Sequence, residues 1–246
     1  MTPPREGPHP VERLFEELRT FGPYPARVVP VPARIPGFAF FPGGAGLWNA
    51  AKDGAPPEFP RGGVMILGHD FYSAAGFQDQ LQRGKTDDQY PTARTLAPML
   101  DAAGIPKSEC FFTNFFLGLR AGRKNTGSFP GARDKGFVER CRRFLRFELQ
   151  LQEPRLVLVL GAQVPRFLAP LAAALEPWRG CNLSQIDERG LALVEAVDVD
   201  GVRFTAACLT HPSYRRLNVQ RRSFHGLKGE EAERELLRVA WSRCSR

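Results

Sequence analysis

Three apolar runs in this chain end in residues able to do chemistry. Val64-Met65-Ile66-Leu67 empties into Gly68-His69-Asp70-Phe71-Tyr72-Ser73, and Cys110-Phe111-Phe112 ends in Thr113-Asn114. Phe204 to Leu209 ends in Thr210-His211-Pro212-Ser213, while a fourth run, Leu156 to Leu160, ends in Gly161. Each run reads as a buried strand, so the polar groups collect where the strands stop. In an open α/β sheet that edge is where ligands bind. Asp70, Asn114 and His211 would bring a carboxylate, an amide and an imidazole to one reaction site.

The elements that must position them can be read from the pattern. Strands are expected at 63–68, 110–114, 155–160, 191–198 and 202–209, the last two joined by the hairpin-type turn Asp200-Gly201. Helices are expected near 11–21, 92–103, 134–152, 163–175 and 229–242, with polar loops over 69–91 and 118–133. Strands alternating with helices define the α/β class. We expect a three-layer α/β/α domain with a central, mainly parallel four-stranded sheet over residues 63–246. Residues 1–62 would form an N-terminal helix and a Pro/Gly-rich extension packed on that core.

The bulk properties narrow the function. The chain of 246 residues suits one domain, and its net charge of +8 favours a polyanionic partner, nucleic acid above all. No run approaches the length of a membrane span, and Met1-Thr2-Pro3-Pro4-Arg5-Glu6 lacks the apolar core of a signal peptide, so a cytoplasmic protein without membrane partners is expected. The five cysteines are scattered without a Cys-x-x-Cys pair, so neither a metal nor a cofactor is expected. No Gly-x-Ser-x-Gly elbow, P-loop or dinucleotide-binding glycine pattern is present.

Taken in order, these pieces resemble the uracil-DNA glycosylase superfamily over roughly residues 63–226. Gly68-His69-Asp70-Phe71-Tyr72-Ser73 is similar to the first motif of the classical uracil glycosylases, Gly-Gln-Asp-Pro-Tyr-His, agreeing at Gly, Asp and Tyr. Thr113-Asn114 followed by Arg120 is similar to the Thr-Asn segment of the cluster-bearing bacterial branch. Cys141-Arg142-Arg143-Phe144-Leu145, then Pro154 and Leu156 to Gly161, resembles that branch's helix and third strand. His211-Pro212-Ser213 matches the start of the superfamily's last motif. Arg222-Ser223-Phe224-His225-Gly226 loosely echoes the Arg-Gly-Phe-Phe-Gly found after that motif in classical members. Two departures stand out. Of the four cluster cysteines only Cys141 has a counterpart, with Gly118 at another place, so no iron–sulfur cluster is expected. The usual Pro-Leu wedge is replaced by Tyr214 and Arg215, with Leu217 further on.

The resemblance implies excision of uracil or a related deaminated base. The base is flipped out of the stack and its N-glycosidic bond hydrolysed through an oxocarbenium-like sugar. Asp70 would orient water and offset sugar charge, and His211 would donate to a carbonyl oxygen of the leaving base. Asn114 would read the base edge with one donor and one acceptor. His69 and Tyr72 would line the base pocket, Tyr72 at the pyrimidine C5 position, and either Phe77 or Tyr90 would stack on the base. Phosphates would meet Arg120, Ser213, Arg215, Arg216, Arg221 and Arg222, helped by Arg123, Lys124, Arg133 and Lys228. Leu217 would be the wedge. Structural roles stand beside these: a loop-capping Asp, a backbone-bonded His, a turn Asn. The expected partner is DNA, bound by a monomer. Two other classes remain open at this point: a DNA-binding module that keeps the fold without the chemistry, and a hydrolase of a small anionic substrate.

Overall fold

The structure, a computed structural model, describes residues 10–30, 59–71, 73–82 and 91–244. Its centre is a five-stranded sheet in the order β3-β2-β5-β7-β6: β2 (Val64–Asp70), β3 (Cys110–Phe116), β5 (Leu156–Leu160), β6 (Leu193–Val199) and β7 (Val202–Leu209). The first four in that order run parallel, and β6 returns antiparallel from β7. The expected four-stranded sheet is thus the parallel part. The Asp200-Gly201 hairpin adds a fifth strand at the edge, where both turn residues take positive φ.

β2, β3 and β5 are buried at almost every position, as strands covered on both faces must be. The edge strand β6 instead mixes buried with exposed residues. The covering helices are α1 (Pro10–Thr20), α2 (Ala74–Gln82), α3 (Pro91–Ala102), α4 (Lys135–Gln152), α5 (Pro165–Leu168), α6 (Leu183–Glu188), α7 (Arg215–Asn218) and α8 (Gly229–Cys244). α2 lies within the segment expected to be loop. The helix expected at 163–175 is one turn of α-helix followed by 3₁₀ turns, since Pro170 and Pro177 cannot extend an α-helical ladder. α4 begins on Asp134, whose carboxylate accepts the Phe137 N–H at 2.8 Å, and ends on Glu153 in the left-handed conformation just before Pro154.

Two small ribbons complete the fold. β1 (Val28–Val29) pairs with β4 (Leu119–Arg120), tying the N-terminal segment to the loop after β3. The pass is close: a Cβ at Gly118 would lie 2.5 Å from the Val28 side chain, so no cysteine fits there. β8 (Ser223–Phe224) and β9 (Leu227–Lys228) form a hairpin turning at His225-Gly226, both with positive φ. Among the described residues no helix is long and apolar enough to cross a membrane.

Candidate active site

β2 and β5 are neighbours, yet the chain leaves β2 toward β3 on one side and leaves β5 toward β7 on the other. The crevice beyond their C-terminal ends is the topological switch point, the ligand-binding place of open α/β sheets. Asp70 is the last residue of β2, Gly161 follows β5, and His211 stands two residues past β7. Asn114, buried in β3, pairs in register with Gly68 of β2, which brings no side chain.

The Asp70 carboxylate is held from two sides. Arg120 grips it with both faces of its fork, Nε to Oδ1 at 3.0 Å and Nη2 to Oδ2 at 2.9 Å. His69 Nδ1 lies 2.6 Å from Oδ2. Burial by itself pushes the Asp70 pKa up. The bonds from His69 and Arg120, with their charges, outweigh it and hold the carboxyl below the ordinary aspartate range. Asp70 is therefore an anion at neutral pH although its side chain is only 8 % exposed. His69 sits edge-on to Phe116, ring centroids 5.0 Å apart, and near Phe167. Its Nε2 is buried and makes no hydrogen bond.

His211 is oriented by its own turn. The Ser213 N–H donates to His211 Nδ1 at 3.2 Å, which places the proton of a neutral ring on Nε2. Desolvation lowers the imidazole pKa, and His69 lowers it further, against the opposing pull of Asp70. A neutral imidazole with its N–H on Nε2 and a carboxylate anion thus share one crevice. Gly161 makes room for this histidine: its φ is +86°, and a Cβ there would come within 3.0 Å of His211 Cβ.

Several expected site residues stand elsewhere. Arg120 is not a surface cation; it is 5 % exposed and spent on Asp70 and on backbone carbonyls. Arg222 is likewise interior, bidentate to Asp187 at 2.8 and 3.0 Å and bound to Glu233 and the Cys208 carbonyl. Arg215 is buried and paired with Glu230 and Glu233. In each case a carboxylate supplied by a distant segment draws the guanidinium inward. Phe77 is 1 % exposed and belongs to the hydrophobic core, where an anchored aromatic is more stable than an open stacking platform. Tyr72 and Tyr90 lie outside the described residues. Arg216 and Arg221 are exposed, Leu217 is 74 % exposed on α7, and the exposed Ser213 has its Oγ 2.6 Å from Thr92 Oγ1.

Sequence reasoning missed Arg166. It lies on α5, just past β5 at this edge, its guanidinium 4.6 Å from the Phe167 ring centre, and desolvation lowers its pKa. Its position five residues past Gly161 was the available signal.

The chain matches the family model of the uracil DNA glycosylase superfamily over residues 38–239, most of its length, and it belongs to that superfamily. The match begins well upstream of β2 and takes in every residue of the crevice. No curated protein matches the chain in sequence.

Proposed function

We propose that this protein is a DNA glycosylase that removes uracil or a related deaminated base by hydrolysing its N-glycosidic bond. The observation that carries this is the pairing, across the switch point, of an ionised Asp70 with a neutral His211 whose proton is on Nε2.

A base in a duplex must leave the stack before it can be attacked, at a cost of a few kcal/mol. Leu217, standing out on α7, is suited to fill the gap it leaves. Exposed Arg216 and Arg221 beside it, and Arg123 and Lys124 in the loop after β4, can hold phosphates on either side. In the pocket the Asn114 amide pairs with the base edge. As the bond from the sugar to the base breaks, positive charge grows on the sugar and negative charge on the base. Asp70 offsets the first and orients water toward C1′. His211 Nε2–H donates to a base carbonyl oxygen and stabilises the second. Water adds its oxygen to C1′, and its proton leaves with the base. No step requires a divalent metal.

The direct test is a labelled oligonucleotide with a single uracil, single- or double-stranded, incubated with protein in EDTA and then treated with alkali. Strand scission at the uracil supports the proposal. A second reading has its own motive: Arg120 already neutralises Asp70. A DNA-binding module with a silent crevice would bind oligonucleotides in a salt-sensitive way and release no base.

A further inference from the structure

Arg120 uses every hydrogen-bond donor it has. A guanidinium carries five N–H groups. Nε and one Nη2 hydrogen go to the two oxygens of Asp70. The second Nη2 hydrogen goes to the Gly127 carbonyl at 2.9 Å, and the two on Nη1 go to the carbonyls of Ser128 at 3.0 Å and Thr126 at 3.3 Å. The ring of Phe129 lies beneath, 5.4 Å from the guanidinium carbon. One cation therefore closes both the end of β2 and the far limb of the loop 121–128.

That loop is wired to the other side of Asp70 as well. Asn125 Oδ1 accepts the Ser73 N–H at 2.8 Å, and Ala75 N–H donates to the Gly122 carbonyl at 3.2 Å. Yet every residue from 121 to 128 is exposed, including Arg123 and Lys124. Among the described residues Arg123 makes only a long, solvent-screened pair with Asp79 at 3.6 Å, which leaves it available to meet a phosphate.

We propose that Arg120 is a positioning residue that couples the Asp70 carboxylate to the basic loop 121–128, so that one guanidinium sets both the orientation of the carboxylate and the shape of the phosphate grip. This rests on the glycosylase reading for the identity of the bound polymer, but the coupling itself does not. Geometry also assigns the two oxygens. Oδ2 takes bonds from Arg120 and His69, whereas among the described residues Oδ1 takes only the Arg120 Nε bond, so Oδ1 is the oxygen with acceptor capacity left for water. The charged or titratable groups facing the carboxylate are His69 on β2, Arg120 on β4 and His211 after β7. A lysine cannot replace the fork, because its three donors leave from one point.

Trypsin reads the loop directly, since Arg123 and Lys124 are cleavage sites inside it. Arg120→Lys, and the double variant Asp70→Asn/Arg120→Met, which strands no buried charge, are compared with the parent by melting and by digestion. Folded variants should be cut after Arg123 or Lys124 about tenfold faster, as expected when a pinned segment opens locally. In Arg120→Lys the Asp70 carboxyl, followed by ¹³C NMR, should titrate higher than in the parent, because the ammonium keeps the charge but loses the fork that bonds both oxygens. Unchanged cleavage and an unchanged titration in folded variants would overturn the coupling. If the parent excises no uracil while these two readouts move as stated, the coupling stands and the glycosylase reading falls.

Discussion

Glu233 of α8 accepts the backbone N–H of Thr210, the residue that leads into His211. The same oxygen takes Arg222 Nη1 at 3.0 Å, while Arg215 Nε lies 3.0 Å from the other oxygen as an ion pair without hydrogen-bond alignment. The last helix of the chain thereby fixes the exit of β7 through a carboxylate with no exposed surface. Removing one partner of such a network leaves buried charge uncompensated. Glu233→Ala should lower stability by about 3–5 kcal/mol, read by urea unfolding.

Glu148 makes stability pH-dependent. It lies wholly inside the fold on α4, taking a hydrogen bond from Thr113 Oγ1 at 2.8 Å, and its second oxygen has no partner. Burial pushes its pKa from the ordinary 4.5 to about 8, against the Thr113 bond, which lowers it. The folded state therefore holds a proton that the unfolded chain gives up near 4.5. Stability from this group is full below that pH and is lost as pH rises toward 8, after which it is level. Glu148→Gln should gain on the parent through that window, by a few kcal/mol at most, in melting temperatures taken from pH 5 to pH 9.

Gly161→Ala should disturb His211 without touching the chemistry directly. Its φ of +86° costs a non-glycine residue about 1–2 kcal/mol, and the added methyl crowds His211 Cβ. A small loss in unfolding free energy together with a larger loss of base release is expected from paired denaturation and single-turnover assays.

Leu217→Ala separates wedge from scaffold. The side chain is 74 % exposed, so unfolding should stay within about 0.5 kcal/mol of the parent. Affinity for a uracil-containing duplex should drop about tenfold, the order expected for losing a partly buried leucine. Affinity for the single strand should hold. Fluorescence anisotropy on both substrates checks this.

The parallel sheet was legible because β2, β3, β5 and β7 are near-continuous apolar runs, and their ends delivered Asp70 and His211 in the expected places. α2 was not, since Ala74-Ala75-Gly76-Phe77 carries no long apolar stripe, although Ser73 caps it by accepting the Gly76 N–H at 3.1 Å. The buried arginines were misread because a guanidinium in a polar loop looks solvated until its distant carboxylate is known. Arg120 and Asp70 are fifty positions apart, Arg222 and Asp187 thirty-five. Two signals were nonetheless present. Glu148 lies on the buried stripe Phe137, Cys141, Phe144, Leu151 of α4, and Glu233 lies beside Ala232, Leu236 and Ala240 of α8. An acid on an apolar stripe marks an interior contact. The Asp70 motif likewise hid its partner, because nothing local to Gly68-His69-Asp70 announces Arg120.

The most direct measurement is the single-turnover rate of uracil release, in EDTA, by the parent and by Asp70→Asn and His211→Ala. A glycosylase acting through these two residues releases uracil as the parent and loses about 10²–10³-fold in each variant, the scale of one charge-stabilising group, with melting temperatures showing that both remain folded. Release by folded Asp70→Asn and His211→Ala at the parent's rate would contradict those roles.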